Sequence, residues 1–117
     1  MRNFKELKIW QKGFQIAINS FKLVSTFPKE EKFGIAMQIT KAAVSISSNI
    51  AEGSSRTSEK DYNRFIEISL GSSFELETQL LIAATVNYGD KELRNEILKD
   101  VDEEQKMLTS FMNKLTK

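Results

Sequence analysis

Residues 45–56 read Ser45-Ile46-Ser47-Ser48-Asn49-Ile50-Ala51-Glu52-Gly53-Ser54-Ser55-Arg56, and how this run is read decides the fold. Ile46 and Ile50 keep helical spacing, while serines fill most of the places between them. Gly53 is isolated and no phosphate-loop lysine follows it, so the run is not a nucleotide cradle. Small side chains instead let neighbouring backbones come close. The stretch therefore reads as the end of a tightly packed helix, with Gly53 as a left-handed C-terminal cap.

Working upstream, apolar and small residues occupy nearly the whole circumference from Gly34 to Ala51, which predicts a helix buried on more than one side. Pro28 opens this second helix, with Glu30 and Glu31 near its positive end. Before it, Leu7, Trp10, Phe14, Ala17, Phe21 and Val24 recur at three- and four-residue steps, which predicts a first helix from about Lys5 to Ser25 with Trp10 in the core. Downstream, Ser58 and Asp61 imitate a capping box that starts a third helix running to about Val86. Its seam is Tyr62, Phe65, Ser69, Ser73, Leu76, Leu80 and Ala83, and a close helix crossing is expected at Gly71. Asn87-Tyr88-Gly89-Asp90 supplies a glycine stop and an aspartate N-cap for a fourth helix to about Leu115. Its inside residues are Leu93, Ile97, Val101, Leu108, Phe111 and Leu115. Short connections make consecutive helices antiparallel. The expectation is an all-α, up-down-up-down four-helix bundle, one domain spanning residues 1–117.

A second stripe lies on the first helix. Ile9, Ile16 and Leu23 each follow a seam residue by two positions, about 200° of rotation, so they are expected to face away from the core. An extra apolar face implies a further partner, and these three are the candidate residues of a homo-oligomer interface.

Composition narrows the chemistry. The 117 residues contain no cysteine and no histidine, which removes thiolate metal sites, Ser-His-Asp systems and the commonest general base. No apolar run approaches ~18 residues, so no membrane span is expected. The first residues carry no apolar signal region, and a cytoplasmic location is the expectation. Lysine and arginine total 17 against 16 acidic residues, a net charge of +1. The balance is uneven along the chain. Residues 2–24 carry Arg2, Lys5, Lys8, Lys12 and Lys22 against Glu6 alone, a net of +4, whereas residues 58–89 are net −3. Lys5, Lys8 and Lys12 at i, i+3 and i+7, with Arg2 before them, form a candidate phosphate-binding ridge. A solvated face, or pairing with the acidic third helix, is the plainer reading of the same lysines.

Asn49 and Glu52 are three apart on one helix face, and Arg56 follows close behind. They are a candidate polar network pinning the second turn. Glu67, Gly71 and Glu75 share a face of the third helix, but a dicarboxylate metal site in a bundle also wants histidine. No cofactor is expected, and a carboxylate-based metal or small-ligand enzyme using Glu52, Glu67 and Glu75 is the alternative to a non-enzymatic protein.

The segments LKIWQKGFQI (7–16), FPKEEKFGIAMQITKAAVSISSNIAEGSSR (27–56) and DYNRFIEISLGSSFELETQLLIA (61–83), with the Tyr88-Gly89 turn, resemble the bacterial four-helix-bundle family encoded within intervening sequences of 23S rRNA genes. Its members are sometimes labelled S23 ribosomal proteins, and NIAEG and GSSFELETQL are the most specific pieces of the match. The resemblance implies a bundle that assembles as a homopentamer, a ring, with no established activity. It also implies kinship with retroelement accessory proteins associated with nucleic acid and a reverse transcriptase. The family's usual arginine in the second-helix segment stands here as Lys41. That adds Lys41 to the candidate contacts to RNA or DNA, with a point charge in place of a planar fork.

Overall fold

The computed structural model describes residues 2–116; the two terminal residues of the expected 1–117 unit lie outside the described residues. Four helices form the fold: α1 (Lys8–Val24), α2 (Ile35–Ser54), α3 (Glu59–Thr85) and α4 (Lys91–Leu115). Short 3-10 turns at Phe4–Glu6 and Lys29–Glu31 precede α1 and α2. Each helix packs on the next and α4 closes back on α1, while α1 and α3 stand diagonally across the bundle, their backbones apart and their inner side chains sharing the core. The result is an antiparallel bundle 44 Å long and about half as wide.

Local chemistry sets the helix ends. The Ser58 hydroxyl accepts from the Asp61 amide at 3.1 Å and the Asp90 carboxylate from the Leu93 amide at 2.8 Å, so α3 and α4 begin where their side chains satisfy free N–H groups. Between them the chain turns through Asn87 (φ 59°) and Gly89 (φ 83°). A Cβ at Gly89 would also fall 2.6 Å from the Phe27 ring, so glycine is required there by both backbone and space. The turn binds its neighbour at the same end of the bundle: the Asp90 amide donates to Thr26 Oγ1 at 2.9 Å, and Phe27 packs on Tyr88 with ring centres 5.7 Å apart. Arg94, buried, donates to the Tyr88 carbonyl at 2.7 Å and completes this corner.

Several boundaries differ from the sequence expectation. Leu7 is extended, so Lys5 lies in a separate turn and α1 starts at Lys8. Pro28 caps only the 3-10 turn, and α2 starts at Ile35. α2 runs through Gly53 to Ser54, so Gly53 is helical rather than a left-handed cap. Its glycine serves a close crossing instead: a Cβ there would sit 2.7 Å from the Phe65 Cβ. Gly71, where a crossing was expected, has nothing within 4 Å of that position.

The largest correction concerns α1. Ile9, Ile16 and Leu23 do not form an outer stripe: Ile16 and Leu23 are completely enclosed, packed with Ile39, Ile46, Ile50 and Leu80 in the bundle's own core. The aromatic seam faces out, with Phe14 47% and Phe21 54% exposed. Trp10 is only half-buried, packed against the outside of the core with Phe4 edge-on to it (ring centres 5.4 Å apart) and Phe14 tilted against it (5.1 Å). The physical reason is size. Gly13 and Ser20 lie on the same side as the isoleucines, and both are buried, so this thinner face lets α1 settle against α2 and α4. α2 and α3 meet in the same way. Ser69 Oγ donates to the Ile46 carbonyl at 2.8 Å, and the hydroxyls of Ser45 and Ser72 are 2.8 Å apart.

Candidate functional site

The five candidate phosphate-binding cations are not brought together. Arg2 folds back over the α2–α3 turn, donating to the carbonyls of Ser54 (3.2 Å) and Arg56 and pairing with Glu59 at 3.1 Å. Its guanidinium also lies 4.4 Å from the Tyr62 ring centre. Lys12 turns inward between two carboxylates of α4, 2.8 Å from Glu103 and 3.4 Å from Asp100. The Glu103 hydrogen bond holds the Lys12 ammonium above its ordinary pKa against the opposing effect of burial, and Lys12 holds the Glu103 carboxyl below its ordinary range. Lys8 remains exposed at the α1–α4 edge and Lys5 in the 3-10 turn before α1, whereas Lys41 is exposed on α2, beside α1.

The expected polar network is divided as well. Arg56 pairs with Glu52 at 2.9 Å and covers the Phe65 ring at 4.7 Å. Asn49, however, donates to the Ser45 carbonyl (2.8 Å) and hydroxyl (2.9 Å), one turn back along α2. The residue that clasps the turn from outside is Arg2. Among the described residues no three acidic side chains converge as a metal-donor set. Glu52 is engaged by Arg56, and Glu67 accepts from Asn63 at 3.3 Å on another helix.

Two features were missed by sequence reading. One is Glu104, fully buried on α4, both of whose carboxylate oxygens lack a hydrogen-bond partner among the described residues. Burial pushes its carboxyl up to about 8, with the Lys12 ammonium pulling the other way. The signal was present as a gap: Ile97, Val101, Leu108 and Phe111 keep the core rhythm, and Glu104 fills the skipped place.

The other is a pair of exposed apolar faces. On α1 and α2, Phe14, Phe21, Met37 and Val44 are exposed, and Phe33 is 78% exposed just before α2. A groove of about 580 Å³ runs between Phe21, Phe27, Phe33 and Met37, and a second of about 430 Å³ continues from Phe21 and Thr40 to Val44 and Glu52. On α3, Ile68, Phe74, Leu81, Ile82 and, at its end, Val86 are exposed. Scattered apolar side chains on a surface are ordinary; contiguous ones mark an interaction site.

A family model described as "23S rRNA-intervening sequence protein" matches residues 5–110, which takes in all of α1, α2 and α3 and most of α4. The chain belongs to this family. A solved structure with the same fold is a protein of unknown function from the S23 ribosomal protein family of Bacteroides thetaiotaomicron. It is 24% identical, covers 89% of this chain and 97% of its own, and superposes with a TM-score of 0.79. A comparison with curated proteins finds no match. In this family member no helix among the described residues is long and apolar enough to cross a membrane.

Proposed function

We propose that this member of the 23S rRNA-intervening sequence protein family is a non-enzymatic, self-assembling scaffold. The observation that carries this reading is the exposure of large apolar side chains on two separate faces, α1–α2 and α3, of a bundle whose core is already closed. Such surfaces cost solvation free energy until a partner covers them, at roughly 25 cal/mol per Å². Five copies is the number implied by the family resemblance. The non-enzymatic reading is supported by a chain without histidine or cysteine and by the spread of Glu52, Glu67 and Glu75 over two helices. Sedimentation equilibrium tests the scaffold: at micromolar concentration a homo-oligomer is expected, and a clean monomer overturns it.

A second reading, weak binding of RNA or DNA phosphates, is supported by Lys5 and Lys8. Both keep exposed ammonium groups without an ion-pair partner among the described residues. Assembly would repeat this pair of charges and sum their field.

A further inference from the structure

The two apolar faces differ in charge. Among the described residues, the only charged ones lining the α1–α2 grooves are Lys29, Lys32, Lys41 and Glu52. Glu52 is neutralised by Arg56, and the three lysines have no ion-pair partner among the described residues. The α3 face is the opposite. From Glu67 to Asp90 the sequence contains no lysine or arginine; Glu67 and Glu75 are exposed among the apolar residues, while Glu77 is turned to Gln105 of α4.

The faces also match in length. At about 1.5 Å per residue, the α2 side of the groove from Ala36 to Glu52 is about 24 Å long, and the apolar run of α3 from Ile68 to Val86 about 27 Å. Gly71 lies within that run. A mid-helix glycine costs roughly 1 kcal/mol against alanine, and nothing inside the subunit approaches within 4 Å of its missing Cβ. A helix arriving from outside can use that opening.

We propose that the α1–α2 groove of one copy receives the α3 face of a second copy. This rests on the self-assembly reading and specifies its geometry. Because α1 and α3 stand on opposite corners, each copy holds one neighbour and is held by another. The contact is heterologous, and it propagates until a ring closes. Lysines of the groove rim meet glutamates of α3 around an apolar centre, the arrangement that raises both specificity and association rate.

The test uses two full-length variants, Phe21→Glu in the groove and Ile82→Glu on α3. Both positions are exposed, so helicity by circular dichroism is expected to be unchanged; Val44→Glu and Leu81→Glu replace any variant that misfolds. Each variant alone is expected to assemble at least about tenfold more weakly than wild type. Mixed in equal amounts, one variant retains a sound groove and the other a sound α3 face, so a heterodimer forms at concentrations where each alone is monomeric. A mixture that stays monomeric while wild type assembles overturns the pairing and leaves self-assembly standing. A monomeric wild type overturns both. A groove filled instead by an acidic helix of another protein would leave wild type monomeric and likewise overturn the proposal.

Discussion

The Glu104 carboxylate lies 3.0 Å from the point a Cβ would occupy on Gly13. The glycine of α1 thus makes room for an acid of α4 in the middle of the core. With its ordinary pKa of 4.5 raised to about 8 by burial, Glu104 holds its proton in the folded chain at neutral pH and releases it on unfolding. The folded state therefore binds more protons than the unfolded state between those two values, and stability falls as pH rises through that window. The loss is complete above about pH 8 and amounts to at most about 5 kcal/mol at 1.36 kcal/mol per unit. Urea midpoints at pH 5 and pH 8.5 measure it. Glu104→Gln is expected to flatten most of the slope and to exceed wild type in stability at pH 8.5; an equal fall in both proteins would exclude Glu104 as its source.

Gly53 and Gly71 are expected to respond to alanine with opposite signs. At Gly53 the new Cβ would meet the Phe65 Cβ at 2.7 Å, and neither atom sits at the end of a flexible chain. Overpacking of this kind costs about 1–3 kcal/mol, more than the roughly 1 kcal/mol that alanine returns in helix propensity. At Gly71 only the propensity gain remains, so Gly71→Ala is expected to stabilise the subunit by about 1 kcal/mol. Denaturation of the two variants side by side, under conditions where the chain is monomeric, checks both signs.

These two glycines show how far the sequence could be read. Helix number, the α3 and α4 caps and the antiparallel order follow from punctuation and spacing, which are local. Whether a glycine marks a cap or a crossing depends on what another helix brings to it, which no local pattern records. The same holds for α1. Both of its stripes have helical periodicity, and counting apolar residues favours the aromatic one; packing chose Ile9, Ile16 and Leu23 because Gly13 and Ser20 thin that side. Glu104 was legible only as a missing beat in the α4 core rhythm. The partners of Arg2 were not legible at all, since its contacts lie more than fifty residues away.

Arg2→Ala is expected to destabilise the bundle by about 1 kcal/mol. Two carbonyl hydrogen bonds and the Tyr62 contact are lost, while the Glu59 pair is exposed enough to contribute little. Hydrogen exchange should locate the loosening at residues 54–59, where the α2–α3 turn lies. Unchanged protection there would mean that the clasp adds nothing to the turn.

Lys8 and Lys12 separate the nucleic-acid reading from structure, because one is exposed and the other is held by Asp100 and Glu103. Phosphate binding through the exposed lysines predicts that log K falls by roughly 0.7 to 0.9 per phosphate neutralised as log salt rises. Lys8→Glu should weaken binding to every sequence about equally, since phosphate contacts position without specifying. Lys12→Gln should instead lower the unfolding midpoint and leave the affinity near wild type, because its ammonium is already committed to α4. Fluorescence anisotropy with RNA hairpins and duplex DNA at low salt reads the first effect, and thermal unfolding reads the second. Binding that ignores Lys8, or that is lost with Lys12 while the fold is retained, would remove the exposed pair from any phosphate site.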